Sequence, residues 1–279
     1  MASRTMLVTG ASSGIGRATA LELARRGASL ILVCRDRARG DETAKEIRAA
    51  TGNEDVTLML ADLSSQASIR ALAAEFLATG RPLHVLINNA GVVNTSRTIT
   101  VDGIETVFAV NHLAYFLLTR LLQERLVQSA PSRIVNVASE AHKFGNLDFD
   151  DLQSEKSFRM MRVYGQSKMA NILFTYELAR RLAGTGVTAN CLHPGTVATG
   201  LGKNNGAAAR LLIRLLAPFF RTAEGGAATS VHMATAPELE NVSGRYFSNR
   251  KEKRSSAATY DVDAARRLWQ VSEQLCGLG

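Results

Sequence analysis

Short, unbroken apolar runs alternate with helical patterns along most of this chain, and that alternation constrains its fold more than any other feature. The runs are Thr5 to Thr9, Ser29 to Cys34, Val56 to Ala61, Leu83 to Ile87, Arg133 to Val137 and Val187 to Leu192. Helical patterns lie at 14–26, 37–50, 66–78, 103–128 and 164–183. Apolar runs without polar alternation suit strands buried on both faces, and helical crossovers suit a parallel sheet. The pattern predicts a doubly wound α/β sheet with helices on both faces and a ligand across the carboxyl ends of the strands. With 46% apolar residues the chain can bury a sizeable core, and five prolines with no repeat or low-complexity linker argue for a single domain over 1–279.

The first turn carries the first chemistry. Gly10, Ser12, Ser13, Gly14, Ile15 and Gly16 stand between the first strand and the first helix, in the phrase Thr9-Gly10-Ala11-Ser12-Ser13-Gly14-Ile15-Gly16. Glycines let backbone approach a phosphate closely, and a helix N-terminus supplies free N–H groups and positive potential. The spacing G-x-x-x-G-x-G differs from the commoner G-x-G-x-x-G, but its place between strand and helix favours dinucleotide binding over a plain tight turn. The second strand ends in Cys34-Arg35-Asp36. An acidic residue at about 20 positions past the glycines would bind the ribose hydroxyls of NAD. Cys34 stands roughly there and cannot do so. Arg35 follows, and a guanidinium suits a 2′-phosphate, with Arg37 and Arg39 adding to the field. NADP(H) is therefore the expected cofactor. Asp36 either caps a helix or binds ribose.

Farther along, Asp62-Leu63 closes the third strand. Asp62 either hydrogen-bonds an adenine amino group or caps a helix starting near Ser64 or Ser65. Asn88-Asn89-Ala90-Gly91 ends the fourth strand, with small residues that let a cofactor lie against the chain. Asn111 falls inside a helical stretch, either exposed or hydrogen-bonded in the interior. Ser139 follows the fifth strand and aims a hydroxyl at the same crevice. Tyr164-Gly165-Gln166-Ser167-Lys168 opens a proline-free helical run. Residues four apart share a helix face, so a phenol and an ammonium meet there. Nearby positive charge lowers a phenol's pKa, which equips Tyr164 for proton transfer.

The order and spacing of Thr9–Gly16, Asn88–Gly91, Asn111, Ser139, Tyr164–Lys168 and Pro194-Gly195 resemble the short-chain dehydrogenase/reductase superfamily over nearly the whole chain. Cys34-Arg35-Asp36, Ser132 to Ser139, Asn171-Ile172-Leu173-Phe174, His193 to Val197 and Ala265 to Trp269 look like its retinol dehydrogenase branch, as does the 25-residue step from Ser139 to Tyr164. The resemblance implies a Rossmann-type fold, a catalytic set of Ser139, Tyr164 and Lys168, and Asn111 holding a water relay. It also implies NADP(H), bound by Arg35, Asp62, Leu63, Asn89, Ala90 and Gly91 and, near the nicotinamide, by Pro194, Gly195, Val197 and Thr199. Lipophilic aldehydes, ketones or alcohols are the implied substrates, and a homodimer is compatible with the pattern. A Tyr-x-x-x-Lys pair also serves extended-branch epimerases and dehydratases, but the glycine spacing and the length of the chain argue against them. The full Asn-Ser-Tyr-Lys set argues against a catalytically idle NADP-binding protein.

The formal charge of +8 is dispersed, which suits a solvated basic surface with an attraction for phosphorylated ligands. No interleaved aromatics point to nucleic acid. Three widely spaced cysteines form no disulfide or metal pattern and suit a reducing, cytoplasmic compartment. The five histidines show no ligand spacing, so no metal is expected. The first strand begins almost at once, so neither a signal peptide nor an N-terminal anchor is expected, and no apolar run is long enough to span a membrane. Within a substrate-loop segment at 196–222, the basic amphipathic stretch 201–221 reads as a lid over an apolar substrate, as core, or as a membrane-surface contact. Arg250 to Arg254 reads as a solvated loop.

Overall fold

β1 (Thr5–Thr9), β2 (Ser29–Cys34), β4 (Val85–Asn88), β5 (Ser132–Val137) and β6 (Val187–His193) are buried along their whole length, which is why they appear in the sequence as continuous apolar runs. β3 (Val56–Leu60) is half-buried. A computed structural model describes residues 4–195 and 222–279. Among them, one eight-stranded sheet runs in the order β3-β2-β1-β4-β5-β6-β7-β8, with β7 (Tyr246–Ser248) and β8 (Lys251–Lys253). Every pairing is parallel except that of β7 with β8.

Alternate side chains of the strands feed two cores. Leu7, Ile31 and Val33 point to a face covered by α3 (Gln66–Ala78), α5 (Ala114–Gln128), α6 (Met160–Arg181) and α8 (Val262–Leu275). Met6, Val8, Leu30 and Leu32 point to the opposite face, covered by α1 (Gly14–Arg25), α2 (Arg37–Thr51) and α7 (Ala223–Thr235). Helices on both faces of a mostly parallel sheet are the doubly wound arrangement expected. α8 closes the first face through Trp269, whose ring lies 5.0 Å from Phe116 and 5.9 Å from Phe174, under the Arg181 guanidinium at 4.1 Å.

The structure differs from the expected elements in four places. The helical stretch 103–128 begins at α4 (Thr106–Phe108), because Glu105 caps it by accepting from the Val107 and Phe108 amides at 2.8 Å. Residues before it form a turn closed by an Ile99–Glu105 bridge. A π-helical turn, Ala109–Leu113, then separates α4 from α5. α6 starts at Met160, one turn before Tyr164, so the tyrosine stands inside the helix and not at its opening. Finally, part of Arg250 to Arg254 is a strand, not a loop. β8 is fully exposed at the sheet edge, and its Lys-Glu-Lys sequence is the charged kind that discourages further pairing.

The parallel topology brings Gly10, Cys34, Asp62, Asn88, Ser139 and His193 to one edge of the sheet. No helix among the described residues is long and apolar enough to cross a membrane.

Candidate active site

A cleft of about 710 Å³ runs along the carboxyl ends of the strands. One half is lined by Gly10, Ser12, Ser13, Gly14, Ile15, Gly16, Arg35, Asp62, Leu63, Asn89, Ala90 and Gly91. Its floor is shaped by close backbone contact. Gly10 has φ +67°, and a Cβ there would stand 2.9 Å from the Ala90 Cα. A Cβ on Gly16 would stand 2.3 Å from the Gly10 carbonyl oxygen and 2.5 Å from Asn89 Nδ2. Asn89 braces the turn by donating to the Thr9 carbonyl at 2.9 Å, while Thr9 Oγ1 accepts from the Asn89 and Ala90 amides. Ser13, the N-cap of α1, makes no side-chain capping bond, so the first-turn amides of α1 remain available to an anion at the cleft. This cradle of close glycines and uncapped amides fits a dinucleotide pyrophosphate.

The acidic and basic residues around it now separate. Asp36 caps α2, accepting from the Arg39 amide at 2.8 Å. Asp62 Oδ1 accepts from the Ser64 amide and hydroxyl at 2.9 and 2.7 Å, while Ser65 is the cap of α3. Arg35 and Arg39 are exposed and line the cleft. Arg17 is engaged by Glu46 at 2.6 Å. Cys34 is buried beside Ser12, and burial pushes its thiol up, so it presents no charge.

The other half of the cleft is lined by Ser139, Tyr164, Lys168, His193, Pro194 and Gly195. Ser139 stands beside Tyr164, and its Oγ accepts from the Ala141 amide at 3.2 Å. Two glycines make this meeting possible. A Cβ on Gly145 would stand 2.4 Å from the Gly165 carbonyl carbon, and one on Gly165 would stand 2.6 Å from the Ala141 carbonyl oxygen. The short 3₁₀ turn Glu140–Phe144 thus lies directly on the backbone of α6, carrying Ser139 to the phenol. His142 ties the same turn down. Its Nε2 accepts from the Ser256 amide at 3.1 Å, which places the ring proton on Nδ1, 2.6 Å from the Ser139 carbonyl.

Lys168 is buried, and its Nζ donates to the Val137 carbonyl at 3.0 Å. That nitrogen lies 5.7 Å from the ring centres of both Tyr164 and Tyr115. Burial pushes the Lys168 ammonium down to about 7. The expectation that Lys168 lowers the tyrosine pKa needs correction. Burial pushes the Tyr164 phenol up, and the opposing influence comes from the Ser139 hydroxyl, not the lysine.

Asn111 lies in the π-helical turn, fully buried, so the interior alternative holds. Its Nδ2 donates to the Val92 carbonyl and to Ser167 Oγ, both at 3.0 Å, and its Oδ1 accepts from the Val92 amide at 2.7 Å. The side chain thereby pins the strand-end segment around Gly91 against α6. Tyr115, one turn after Asn111 on the same face, was missed in the sequence. It donates to the Ala90 carbonyl at 2.7 Å. The four-residue step from Asn111 was the available signal. His142 had no such signal, because its partner Ser256 is remote in sequence. Val197, Thr199 and the stretch 201–221 lie outside the described residues. Among the described residues, no group of His, Cys, Asp or Glu is gathered that could hold a metal ion.

The profile described as short chain dehydrogenase matches residues 4–210. Human retinol dehydrogenase 12 is 50% identical over 275 residues, covering 99% of this chain and 87% of that protein. Human retinol dehydrogenase 14 is 47% identical, covering 100% of this chain and 88% of that protein. The chain belongs to the short-chain dehydrogenase family. Its relatives place it in the retinol dehydrogenase-like branch, as an oxidoreductase acting on CH–OH groups. Among solved structures, a Mycobacterium paratuberculosis protein aligns with TM-score 0.79 and 34% identity, covering 99% of this chain and 94% of that one. A short-chain dehydrogenase from Burkholderia cenocepacia in complex with NADP aligns with TM-score 0.70 and 26% identity, covering 88% of this chain and 96% of that one.

For this short-chain dehydrogenase the Gly145–Gly165 contact sets the distance between Ser139 and Tyr164. A methyl at Gly165 must push the 3₁₀ turn away. Gly165→Ala is expected to lower kcat by about 10²-fold, the scale of a 1 Å misplacement. Far-ultraviolet circular dichroism should show the fold retained. Wild-type kcat in that variant would separate the glycine contact from catalysis.

Proposed function

We propose that the protein is an NADP(H)-dependent oxidoreductase that interconverts an alcohol and a carbonyl on a lipophilic substrate, with Tyr164 as the acid/base. The observation that carries this reading is the Tyr164 phenol set beside Ser139 in a cleft that also contains the buried Lys168. The glycine turn and the uncapped amides of α1 would hold NADPH, which would supply the hydride. In the reductive direction Tyr164 donates its proton to the carbonyl oxygen, and its raised pKa keeps it protonated for that role. Ser139 hydrogen-bonds the same oxygen and stabilises the alkoxide as it develops. Lys168 supplies positive charge beneath the phenolate left behind. In the oxidative direction each role reverses.

Two further observations support the finer claims. Arg35 and Arg39 stand exposed at the cleft, just past Cys34, which takes the place of the acidic ribose reader of an NAD site, and solved structures of related fold contain NADP. Phe144 and Met161 line the cleft and remain 72% and 49% exposed, a costly arrangement unless something apolar covers them. The retinol dehydrogenase relatives point to the same lipophilic class.

Tyr164→Phe is expected to lose about 10²- to 10⁴-fold in kcat while still binding NADPH, since general acid–base catalysis is worth that much. Near wild-type turnover with retinal or a long-chain aldehyde would reject the mechanism.

Cofactor choice is tested by kcat/KM with NADPH and NADH. Wild type should favour NADPH by about 5- to 150-fold, the scale of one charge-assisted hydrogen bond at an exposed site. Cys34→Asp with Arg35→Ala should reverse the preference, since aspartate accepts from ribose hydroxyls and repels the 2′-phosphate. A double variant that still prefers NADPH would transfer the role to Arg37 or Arg39, because Arg17 is engaged by Glu46.

A further inference from the structure

Asn171 lies three positions after Lys168 on α6, so the two side chains share a face. It is fully buried. Its Nδ2 donates to the Asn111 carbonyl at 2.8 Å. The same nitrogen lies 3.5 Å from the Val137 carbonyl, the oxygen that accepts from Lys168 Nζ. On its other side, Asn171 Oδ1 is 3.4 Å from His112 Nδ1, and His112 Nε2 is 2.9 Å from Ser272 Oγ on α8.

The Asn111 carbonyl only accepts, so the Asn171 amide must turn its NH₂ that way and its Oδ1 toward the imidazole. Ser272 Oγ donates to the Leu268 carbonyl at 2.7 Å, so its single proton serves either that carbonyl or His112 Nε2. With the ring proton on Nδ1, the imidazole donates to Asn171 and Ser272 turns to Nε2. With it on Nε2, the ring donates to Ser272. Burial pushes His112 down to about 4, so the ring is neutral near pH 7 in either form. The backbone of Asn171 is tied as well. Its carbonyl accepts from Thr175 Oγ1 at 2.6 Å, and Thr175 Oγ1 accepts from Asn136 Nδ2 at 2.9 Å. A buried amide costs free energy unless it is matched. Here the donor matches run to two carbonyls at the reacting end of the site.

We propose that Asn171 is a positioning residue for the reaction, tying the Asn111 carbonyl of the π-helical turn to the Val137 carbonyl that receives the Lys168 ammonium, with His112 and Ser272 packed behind its amide. The proposal rests on the Tyr164–Lys168 reading above. It makes α8, distant in sequence, part of the support for proton transfer. Asn171 itself touches neither substrate nor cofactor in this role.

The test compares Asn171→Leu, Asn171→Asp, Ser272→Ala and Tyr164→Phe with wild type. Readouts are kcat, NADPH affinity by fluorescence and the solvent deuterium isotope effect on kcat. Both Asn171 variants should lose about 10- to 100-fold in kcat, the scale of lost orientation. NADPH affinity should stay unchanged, and the isotope effect should rise because proton transfer becomes limiting. Ser272→Ala should move kcat and the isotope effect in the same directions by less. A lowered Tm with wild-type kcat and isotope effect per NADPH-binding site would overturn the proposal and leave Asn171 a structural core residue. If neither Asn171 variant folds, Ser272→Ala decides by the same two readouts. Tyr164→Phe separates the two levels. An active Tyr164→Phe rejects the underlying mechanism, whereas an inactive one beside unaffected Asn171 and Ser272 variants rejects only the positioning role.

Discussion

The Lys168 ammonium, held out of water on the Val137 carbonyl, is the interaction on which the arrangement of this site depends. A buried ammonium is expensive, and its position is tolerable only because the surrounding frame is rigid and polar at the right points. β5 supplies the carbonyl, α6 supplies the lysine, and the π-helical turn supplies Asn111 beside them. Asn88 and Asn136 face each other in the β4–β5 register and are joined by a 2.9 Å hydrogen bond. Thr119 and Thr175 extend that ladder into α5 and α6. The lysine end of the cleft is therefore built on a polar seam through an otherwise apolar core.

The cofactor end uses a different economy. There the shape comes from absent side chains: Gly10 against Ala90, and Gly16 against Gly10 and Asn89. Close backbone approach leaves amide groups facing the cleft, while in the proposed reading the choice between dinucleotides falls to exposed arginines at the rim. The rigid floor and the exposed rim explain why the first should resist substitution and the second should be open to redesign.

How much of this was legible in the sequence follows from the range of each interaction. Five of the six long strands were readable because burial on both faces makes each a continuous apolar run, and half-buried β3 still carries apolar residues at four of its five positions. β7 and β8 were not, since three residues carry no period and β8 is wholly charged. Tyr164 and Lys168 were readable as a pair because a helix turns local spacing into contact. Ser139 could be placed at the cleft but not against the phenol, since that depends on Gly145 meeting Gly165 across a long connection. The direction of the Tyr164 shift was misread for a related reason. Spacing reports which charges are near, whereas burial, which dominates here, is a property of the folded whole. Asn171 had appeared only as part of a family-like phrase, and its bond to the Asn111 carbonyl spans sixty positions.

Burial brings Lys168 to the edge of neutrality near pH 7, beside a Tyr164 phenol that burial pushes up. Between about pH 7 and the ordinary lysine range the unfolded chain holds this proton more often than the native protein does, so the site's contribution to stability rises with pH across that window. The direct measurement is a ¹³C NMR titration of the protein labelled at lysine Cε, with the Lys168 signal assigned by its loss in Lys168→Met. A midpoint near 7 is the expected result. A midpoint near the ordinary value of about 10.4 would contradict the account, because the ammonium would then be as well solvated in the site as in water.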